Sequence, residues 1–254
     1  MTAEFLAHDL LRGVPHGFFT RRGGVSSGGF ASLNCSLSGR DDPAAVAENR
    51  ARAARAIGSD PASLSGLHQV HGAEVVVATA PIPPGHGPRA DGIVTDRRGV
   101  TLGIVTADCG PVLFADSFAG VVGACHAGWR GAIGGVLEAT VAAMEGLGAR
   151  REGIAAVLGP CIRQPSYEVG PDLRADLLAA EPDGDRWLGP GAREDRWMFD
   201  MAGLVLARLD RLGIRAAARP EDTLAEEDRF FSHRRRTLRG EGAIGHQLSA
   251  IALG

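Results

Sequence analysis

Three short segments of the chain combine histidine or cysteine with neighbouring glycine, and their residue types could support metal or thiol chemistry. They are QVHG at 69–72, TADCGP at 106–111 and ACHAGWRG at 124–131. Each lies next to a strand-like run, and a strand end can expose a side chain to a cleft while its backbone stays fixed. His71, Cys109 and His126 offer two imidazoles and one thiolate. Such a set suits zinc with a vacant fourth position, as in catalytic rather than structural zinc sites.

The two cysteines of these segments have different expected roles. Neighbouring residues of a strand point to opposite faces, so Cys125 should face the core if His126 faces the cleft. Cys109 precedes the Gly110-Pro111 pair. We expect that pair to end a strand and to leave room beyond the sulfur for a ligand or a substrate. Cys109 is therefore the candidate ligand, and Cys125 is a core residue.

Other interpretations stay open on the residues alone, because the chain has no CxxC or HExxH signature. His71 could be a hydrogen-bonded core histidine, and Cys109 could be a small buried hydrophobe. Cys109 could also be the nucleophile of a cysteine hydrolase, with His126 or His71 as its base. A thiol hydrolase works without zinc, whereas a zinc enzyme loses activity to chelation. A non-catalytic binding module is a further alternative.

Two metalloenzyme classes are excluded by pattern. A multicopper oxidase needs roughly ten histidines, largely in His-x-His pairs. This chain has eight histidines and no such pair. A zinc deaminase of the Pro-Cys-x-x-Cys type is excluded because Pro160-Cys161 is followed by Ile162, Arg163 and Gln164.

Length and charge limit the domain number, the partners and the compartment that the sequence allows. The 254 residues, 44% of them hydrophobic, can bury one substantial core, and we expect a single domain over residues 1–254. The 27 basic and 30 acidic residues nearly cancel, so nucleic acid and membrane surfaces are poor partners. The amino terminus lacks a secretory leader, so we expect a cytoplasmic protein whose four cysteines stay reduced. No obligate protein partner is indicated.

Hydrophobic periodicity predicts helices interspersed with strands. A helix should begin at Pro43 with Asp42 as its cap, and it should end at Gly58. Further helices are predicted over residues 131–147, 173–180 and 201–212, the last capped by Asp200, and strands over 73–78, 100–106, 112–115 and 121–126. The proline-glycine segment 81–88 should form a loop over the site. Without regular alternation or a dinucleotide-binding glycine fingerprint, the pattern favours an α+β layered fold over a doubly wound sheet.

The three central segments resemble the YfiH-like proteins, a family first named for a laccase-like polyphenol oxidase domain. Other matching motifs extend over nearly the whole chain in the same order. They are HGFFTR at 16–21, GGVS at 23–26, SLN at 32–34, DDP at 41–43, ADG at 90–92, GP at 159–160 and FFSHRR at 230–235. So many separated motifs in order are specific for the family.

The resemblance implies a layered α/β/β/α fold with mixed sheets and one zinc ion held by His71, Cys109 and His126. It also implies phosphorolysis of purine nucleosides such as adenosine, inosine and methylthioadenosine, together with adenosine deamination. The expected ligands are then a nucleoside and phosphate. A link between one family member and peptidoglycan editing keeps a peptide substrate for Cys109 as an alternative. Copper in place of zinc could give weak polyphenol oxidation.

Further residues are candidates for this chemistry. Deamination needs a proton shuttle, and Asp108 is the nearest acidic residue in sequence. Phosphorolysis needs an anion site, and Arg130 lies at the amino end of a predicted helix. The other candidates for substrate or phosphate contact are Arg21, Asn34, Gln69 and Arg234. Each has a structural alternative, since arginines are often solvated and amides often satisfy turns. We interpret His68 as peripheral.

The chain departs from the family pattern at two places. The Phe-Phe-Ser motif usually continues with Arg-Arg-Asp-Gly, whereas residues 234–240 here read RRRTLRG. Asp222-Thr223 stands where relatives often carry a cysteine before a threonine. Both departures concern the carboxy-terminal edge of the expected pocket and leave the metal-ligand candidates unchanged.

Overall fold

The helices and strands follow the hydrophobic pattern of the sequence in a computed structural model that describes residues 2–254. The helices are α1 (Pro43–Ala56), α2 (Trp129–Gly134), α3 (Val136–Gly146), α4 (Pro171–Ala180), α5 (Met201–Arg211) and α6 (His233–Arg239). The strands are β1 (Phe5–Leu6), β2 (His16–Phe19), β3 (Leu64–Ser65), β4 (Val75–Val77), β5 (Gly92–Thr95), β6 (Thr101–Thr106), β7 (Gly110–Asp116), β8 (Val121–Ala127), β9 (Ala155–Leu158), β10 (Glu168–Val169), β11 (Leu188–Pro190), β12 (Trp197–Phe199), β13 (Arg215–Ala218) and β14 (Gln247–Ala252).

The strands form two large mixed sheets and one small sheet. The five-stranded sheet has the order β1-β2-β14-β6-β3, and the six-stranded sheet has the order β13-β9-β7-β8-β5-β4. Most neighbours are antiparallel, whereas β3 with β6, β4 with β5 and β13 with β9 are parallel. A three-stranded sheet, β10-β12-β11, lies outside these two.

The core is stacked in layers. The outer face of the five-stranded sheet packs on α1, where Ala53 and Ala54 contact the same cluster as Phe19. The two large sheets face each other through a second cluster that contains Ile104 and Leu113. A third cluster joins the outer face of the six-stranded sheet to α3 and α5. The layers α/β/β/α implied by the resemblance are therefore confirmed.

Local sequence signals define the ends of two helices. The Asp42 carboxylate accepts the N–H of Ala44 at 2.9 Å and caps α1 as predicted. The Asp200 carboxylate likewise accepts the N–H of Gly203 at 2.9 Å at the start of α5. No helix within residues 2–254 has both the length and the apolar run needed to cross a bilayer.

Two local predictions need correction. The helix expected over residues 131–147 is divided into α2 and α3, because Gly135 has a φ of 97°, a left-handed conformation that glycine adopts without cost. The Gly110-Pro111 pair begins β7 instead of ending a strand, and Pro111 is paired with His126 of β8. Cys109 thus lies in the connection just before β7.

Candidate metal centre

Strand alternation positions His126 between the two large sheets. Along β8, Val121 and Cys125 face the helix-side core, whereas Val122 and Ala124 face the other sheet. His126 continues the second set near the end of the strand, where it lines a cavity. Cys125 is fully buried on the opposite face, as the alternation predicts.

The other two donor residues come from loops with uncommon backbone geometry. His71 has a φ of 62°, and Asp108, directly before Cys109, has a φ of 89°. Left-handed backbone is uncommon for residues other than glycine, and it costs free energy that the surroundings must supply. At His71 the surroundings are hydrogen bonds from its loop to the buried Asp91 carboxylate, and at Asp108 they are hydrogen bonds that its own buried carboxylate accepts. One strained position is therefore a donor residue, and the other directly precedes one.

The donor atoms of His71, Cys109 and His126 converge. All three lie within 4.8 Å of one another. Cys109 Sγ lies 3.9 Å from His71 Nε2, and the two imidazole rings meet edge to face with their centroids 4.6 Å apart. Tetrahedral zinc bonds of about 2.1 Å to nitrogen and 2.3 Å to sulfur place ligand atoms roughly 3.4–3.6 Å apart. A small contraction of the cluster would therefore close it around an ion.

The space between the donors is kept open by Gly128. A Cβ atom at Gly128 would lie 3.0 Å from Cys109 Sγ, 3.1 Å from His71 Cδ2 and 3.6 Å from His126 Nε2. A side chain there would crowd Cys109 and His71 and would touch His126. Burial is graded across the cluster, since His126 is buried, Cys109 is partly buried and His71 is exposed. The residues present fit one metal ion with an open side toward the cavity.

Asp91 organises the donors, and the sequence analysis assigned it no role. Its Oδ1 lies 2.7 Å from His126 Nδ1 and accepts the N–H of His71 at 2.9 Å. Its Oδ2 accepts the N–H groups of Val70 and Gly72 at 3.1 and 2.7 Å. Burial alone would raise the pKa of Asp91, but these hydrogen bonds outweigh burial and lower it. The ionised carboxylate selects the His126 tautomer that leaves Nε2 free as a ligand. In the sequence, the ADG motif at 90–92 was the only feature that marked Asp91.

The electrostatics of the cluster favour a thiolate. Burial alone would raise the pKa of the Cys109 thiol, but the imidazoles of His126 and His71 outweigh burial and lower it to about 6. Burial alone would lower the pKa of His126, but the Cys109 thiolate and Asp91 outweigh burial and raise it to about 9. Metal ligation and nucleophilic attack both require the deprotonated sulfur. Cys125 is the opposite case, because burial raises the pKa of its thiol.

A cavity of about 670 Å³ opens from the donor cluster. Its volume lies within the roughly 300–1,000 Å³ that is typical of small-molecule sites. The loop containing Pro83, Pro84 and Gly85 forms part of its wall, as expected for the segment 81–88. His68, interpreted from sequence as peripheral, also lines the cavity.

The structure brings the predicted catalytic residue and three of the predicted contact residues to this cavity. They are Gln69, Asp108, Arg130 and Arg234. Gln69 Nε2 donates to the carbonyl oxygen of Val105 at 2.8 Å, and its Oε1 accepts the N–H of Val105 at 3.0 Å. Gln69 thereby ties the His71 loop to β6.

Asp108, predicted from the sequence to shuttle protons, has a carboxylate that accepts three hydrogen bonds. Its carboxylate accepts hydrogen bonds from Thr223 Oγ1 at 2.7 Å, Ser232 Oγ at 3.0 Å and the N–H of Arg234 at 2.6 Å. The residue is buried. A carboxylate engaged in this way is poorly placed to accept and release protons. It instead joins the Cys109 loop to the amino end of α6. This helix overlaps the segment 234–240, in which the chain departs from the family pattern.

Arg21 and Asn34, predicted to contact substrate or phosphate, are not among the residues that line the cavity. The Arg21 guanidinium lies 4.5 Å from the centre of the Phe231 ring and donates to the carbonyl oxygens of Ala31 and Glu227. Asn34 is fully buried and donates to Asp41 Oδ2 at 2.9 Å. Both residues brace the amino-terminal loops.

Aromatic rings accompany the two arginines in the cavity wall. The Arg130 guanidinium carbon lies 4.2 Å from the centre of the Trp129 ring, and Arg130 itself is exposed. The Arg234 guanidinium carbon lies 5.4 Å from the centre of the Tyr167 ring, and its Nη1 donates to the carbonyl oxygen of Glu168 at 2.7 Å. The sequence assigned neither aromatic residue a role, although Trp129 lies within the ACHAGWRG segment at 124–131.

The fold and the site together define a layered α+β protein with a possible single-metal centre. The family model described as "Multi-copper polyphenol oxidoreductase laccase" matches residues 15–254. The chain belongs to this family. The resemblance to YfiH-like proteins is thereby confirmed.

Relatives in the same family carry an enzyme name. A purine nucleoside phosphorylase of Deinococcus radiodurans is 46% identical over 241 residues, which cover 94% of this chain and 89% of that protein. One of Streptomyces coelicolor is 41% identical over 227 residues, which cover 89% and 92%.

Solved structures share the whole fold. A Neisseria meningitidis protein matches with a TM-score of 0.85 and 35% identity, covering 100% of this chain and 98% of that one. The Bacillus licheniformis protein YfiH, described as hypothetical, matches with a TM-score of 0.89 and 28% identity, covering 96% and 94%.

Proposed function

We propose that this chain is a zinc-dependent purine nucleoside phosphorylase that acts on adenosine, inosine and methylthioadenosine and also deaminates adenosine. One observation carries the proposal. His71, Cys109 and His126 converge at the end of a cavity large enough for a nucleoside. The names of relatives at 41% and 46% identity support the choice of substrate class.

Zinc suits the donor set better than copper does. Two imidazoles and one thiolate with an open position are a common ligand set of catalytic zinc, and we propose one ion per chain. Copper could replace it at the same ligands, and the family description points to that metal. A bound zinc ion would polarise a substrate atom and make a water molecule nucleophilic near neutral pH.

The residues around the donors would hold the nucleoside. Trp129 and Tyr167 offer aromatic surface for a purine. Burial lowers the pKa of His246 to about 4, so its imidazole is neutral at pH 7. His246 Nδ1 and Thr106 Oγ1 are buried and have no hydrogen-bond partner within residues 2–254. Both residues line the cavity, and a polar ligand edge would satisfy them.

Arg130 is the proposed contact for phosphate near the metal centre, and Arg234 is the second. Arg130 lies in the first turn of α2, where unpaired backbone N–H groups favour anions. Within residues 2–254 its guanidinium forms no ion pair with a carboxylate. Arg234 also lines the cavity but already donates to a carbonyl oxygen.

A second candidate function rests on the lowered pKa of Cys109. A thiolate beside His126 also resembles the nucleophile and base of a cysteine hydrolase, with a peptide such as a peptidoglycan fragment as substrate. Weak polyphenol oxidation by a copper-loaded site is a third possibility. The two main candidates differ in what abolishes activity.

Product analysis on protein of measured metal content tests the proposal. We expect ribose 1-phosphate and free base from inosine only when phosphate is present, and ammonia from adenosine with or without phosphate. Both activities should disappear on chelation and return with zinc. Activity that survives chelation but not thiol alkylation would instead support the hydrolase. We further propose that the protein acts in the cytoplasm, where nucleosides and phosphate are available.

A further inference from the structure

Arg50 presents a buried positive charge to the cavity. It belongs to α1, is 7% exposed and lines the cavity together with Gly66 and Gly103. Its Nη1 donates to the carbonyl oxygen of Cys35 at 3.2 Å, and its Nη2 reaches the carbonyl oxygen of Leu64 at 3.5 Å. Within residues 2–254 no Asp or Glu forms an ion pair with it. Its hydrogen-bond partners are therefore neutral.

A guanidinium in this position needs a counter-charge. Removing a charge from water is costly unless the charge is paired, and arginine cannot relieve the cost by losing its proton. The guanidinium carries five N–H donors, and two hydrogen bonds to carbonyl groups leave most of them available. Asp108 is the only carboxylate among the described lining residues, and its hydrogen bonds go to other groups. An anionic ligand in the cavity would supply the missing counter-charge.

The residues around Arg50 suit an oxyanion. Ser36 follows Cys35 and is buried, and its Oγ lies 3.1 Å from Ser38 Oγ. Both serines line the cavity, where their hydroxyl groups can donate. A Cβ atom at Gly66 would lie 3.5 Å from Arg50 Nη2, so the glycine leaves the guanidinium open on that side. Planar N–H donors beside hydroxyl groups match the oxygens of a phosphate group.

We propose that Arg50, with the hydroxyl groups of Ser36 and Ser38, binds the phosphate group of a ligand that shares the cavity with His71, Cys109 and His126. The phosphate is either inorganic phosphate or the 5′-phosphate of a nucleotide. This proposal deepens the proposed function because it names a phosphate subsite, but binding there does not require turnover. Arg50 is separate from Arg130, which lies beside the metal-ligand candidates.

Isothermal titration of metal-loaded protein with inorganic phosphate and with adenosine 5′-monophosphate tests the site. Arg50→Gln should weaken binding of at least one of these ligands by about tenfold or more. Arg50→Lys should recover only part of the affinity, because it keeps the charge but loses the planar fork. Arg55→Gln is the matched control, since Arg55 lies exposed in the last turn of the same helix and should leave affinity unchanged.

The two phosphate sources give different results. If Arg50→Gln weakens inorganic phosphate, the subsite binds the free anion. If it weakens adenosine 5′-monophosphate but not inorganic phosphate, the subsite binds a nucleotide. Unchanged affinity for both ligands in a folded Arg50→Gln protein overturns the proposal. If that variant does not fold, the Ser36→Ala variant decides, with a loss of roughly threefold or more expected and no loss overturning the proposal.

The experiments distinguish failure of the Arg50 subsite from failure of the proposed function. Arg50-dependent phosphate binding without any ribose 1-phosphate supports the subsite and contradicts the phosphorylase. Phosphorolysis with unchanged affinity for both inorganic phosphate and adenosine 5′-monophosphate in Arg50→Gln supports the phosphorylase and removes the subsite. Affinity lost only in Arg130→Gln places the anion beside the metal-ligand candidates and also overturns the Arg50 proposal.

Discussion

Asp91 Oδ1 lies 2.7 Å from His126 Nδ1 and accepts the main-chain N–H of His71 at 2.9 Å, so one carboxylate orients two metal-ligand candidates. The first contact fixes the ring of His126. The second holds the left-handed backbone of His71. Metal affinity and loop geometry are therefore coupled through a residue that does not itself belong to the donor cluster.

Asp91→Asn should weaken zinc binding by about tenfold to a hundredfold, because an amide cannot stabilise the His126 tautomer as a carboxylate does. Competition with a chelator of known affinity measures the change. Asp116→Asn is the control, since Asp116 is equally buried and accepts backbone N–H groups from Phe118, Ala119 and Arg150. It should lower thermal stability but leave zinc affinity unchanged. Equal zinc loss in both variants would show a general effect of destabilisation.

The cysteine pair provides a second test of the donor set. Cys109→Ala should remove zinc and activity, because it deletes the thiolate ligand. Cys125→Ala should retain both and cost about 1 kcal/mol of stability, since it only empties a small volume in the helix-side core. Elemental analysis of the two proteins gives the answer. Zinc retained in Cys109→Ala but lost in Cys125→Ala would contradict the strand-facing argument.

Gly128→Ala should block the metal site while the protein stays folded. The φ of Gly128 is −65°, which alanine adopts readily, but its methyl group would lie 3.0 Å from Cys109 Sγ. Zinc content and melting temperature together report the outcome. Gly134→Ala in the same helix meets nothing within 4 Å and should keep zinc. It should also gain roughly 0.5–1 kcal/mol of stability. Full zinc occupancy in Gly128→Ala would show that the donors converge elsewhere.

Local signals in the sequence made the helices and strands predictable. The polar contacts of the candidate site join distant residues, so they were not predicted. Asp42 before Pro43 marked α1, and alternation along β8 distinguished Cys125 from His126, because each signal acts over a few residues. The division of the helix at Gly135 was not predicted, since the flanking hydrophobic spacing fits one continuous helix.

The polar part of the site depends on pairings between distant residues. Asp91 meets His126 across 35 positions, and Asp108 meets Ser232 across 124. No periodicity reports such contacts, which explains why Asp108 was predicted to be catalytic and Asp91 was not considered. Arg50 likewise occupies an ordinary helical position in the sequence. Its burial without a carboxylate partner appears only once α1 packs on the five-stranded sheet.

Stability should fall between pH 6.5 and about 4 because of His246. Burial lowers the pKa of this histidine to about 4 in the folded protein, against 6.5 for the ordinary group. The unfolded chain therefore binds more protons in this window, so a falling pH favours unfolding, and the contribution is complete only above pH 6.5. We expect a loss of about 2–3 kcal/mol from this residue. Denaturant unfolding of wild type and His246→Gln at several pH values measures it. Parallel pH profiles for the two proteins would contradict the assignment.

Arg130→Ala should separate the two proposed activities. Phosphorolysis needs an anion in line with the breaking glycosidic bond, whereas deamination needs no phosphate. Losing a charge-assisted contact of roughly 1.5–3 kcal/mol should raise the phosphate concentration required for ribose 1-phosphate formation by about tenfold to a hundredfold. Ammonia release from adenosine should change much less.

The stacking of Arg130 on Trp129, with 4.2 Å between the guanidinium carbon and the ring centre, allows a purely structural role as well. In that case both products and the melting temperature would fall together. Assaying both products and the melting temperature on one preparation distinguishes the cases, and equal loss of both products would remove Arg130 from phosphate binding.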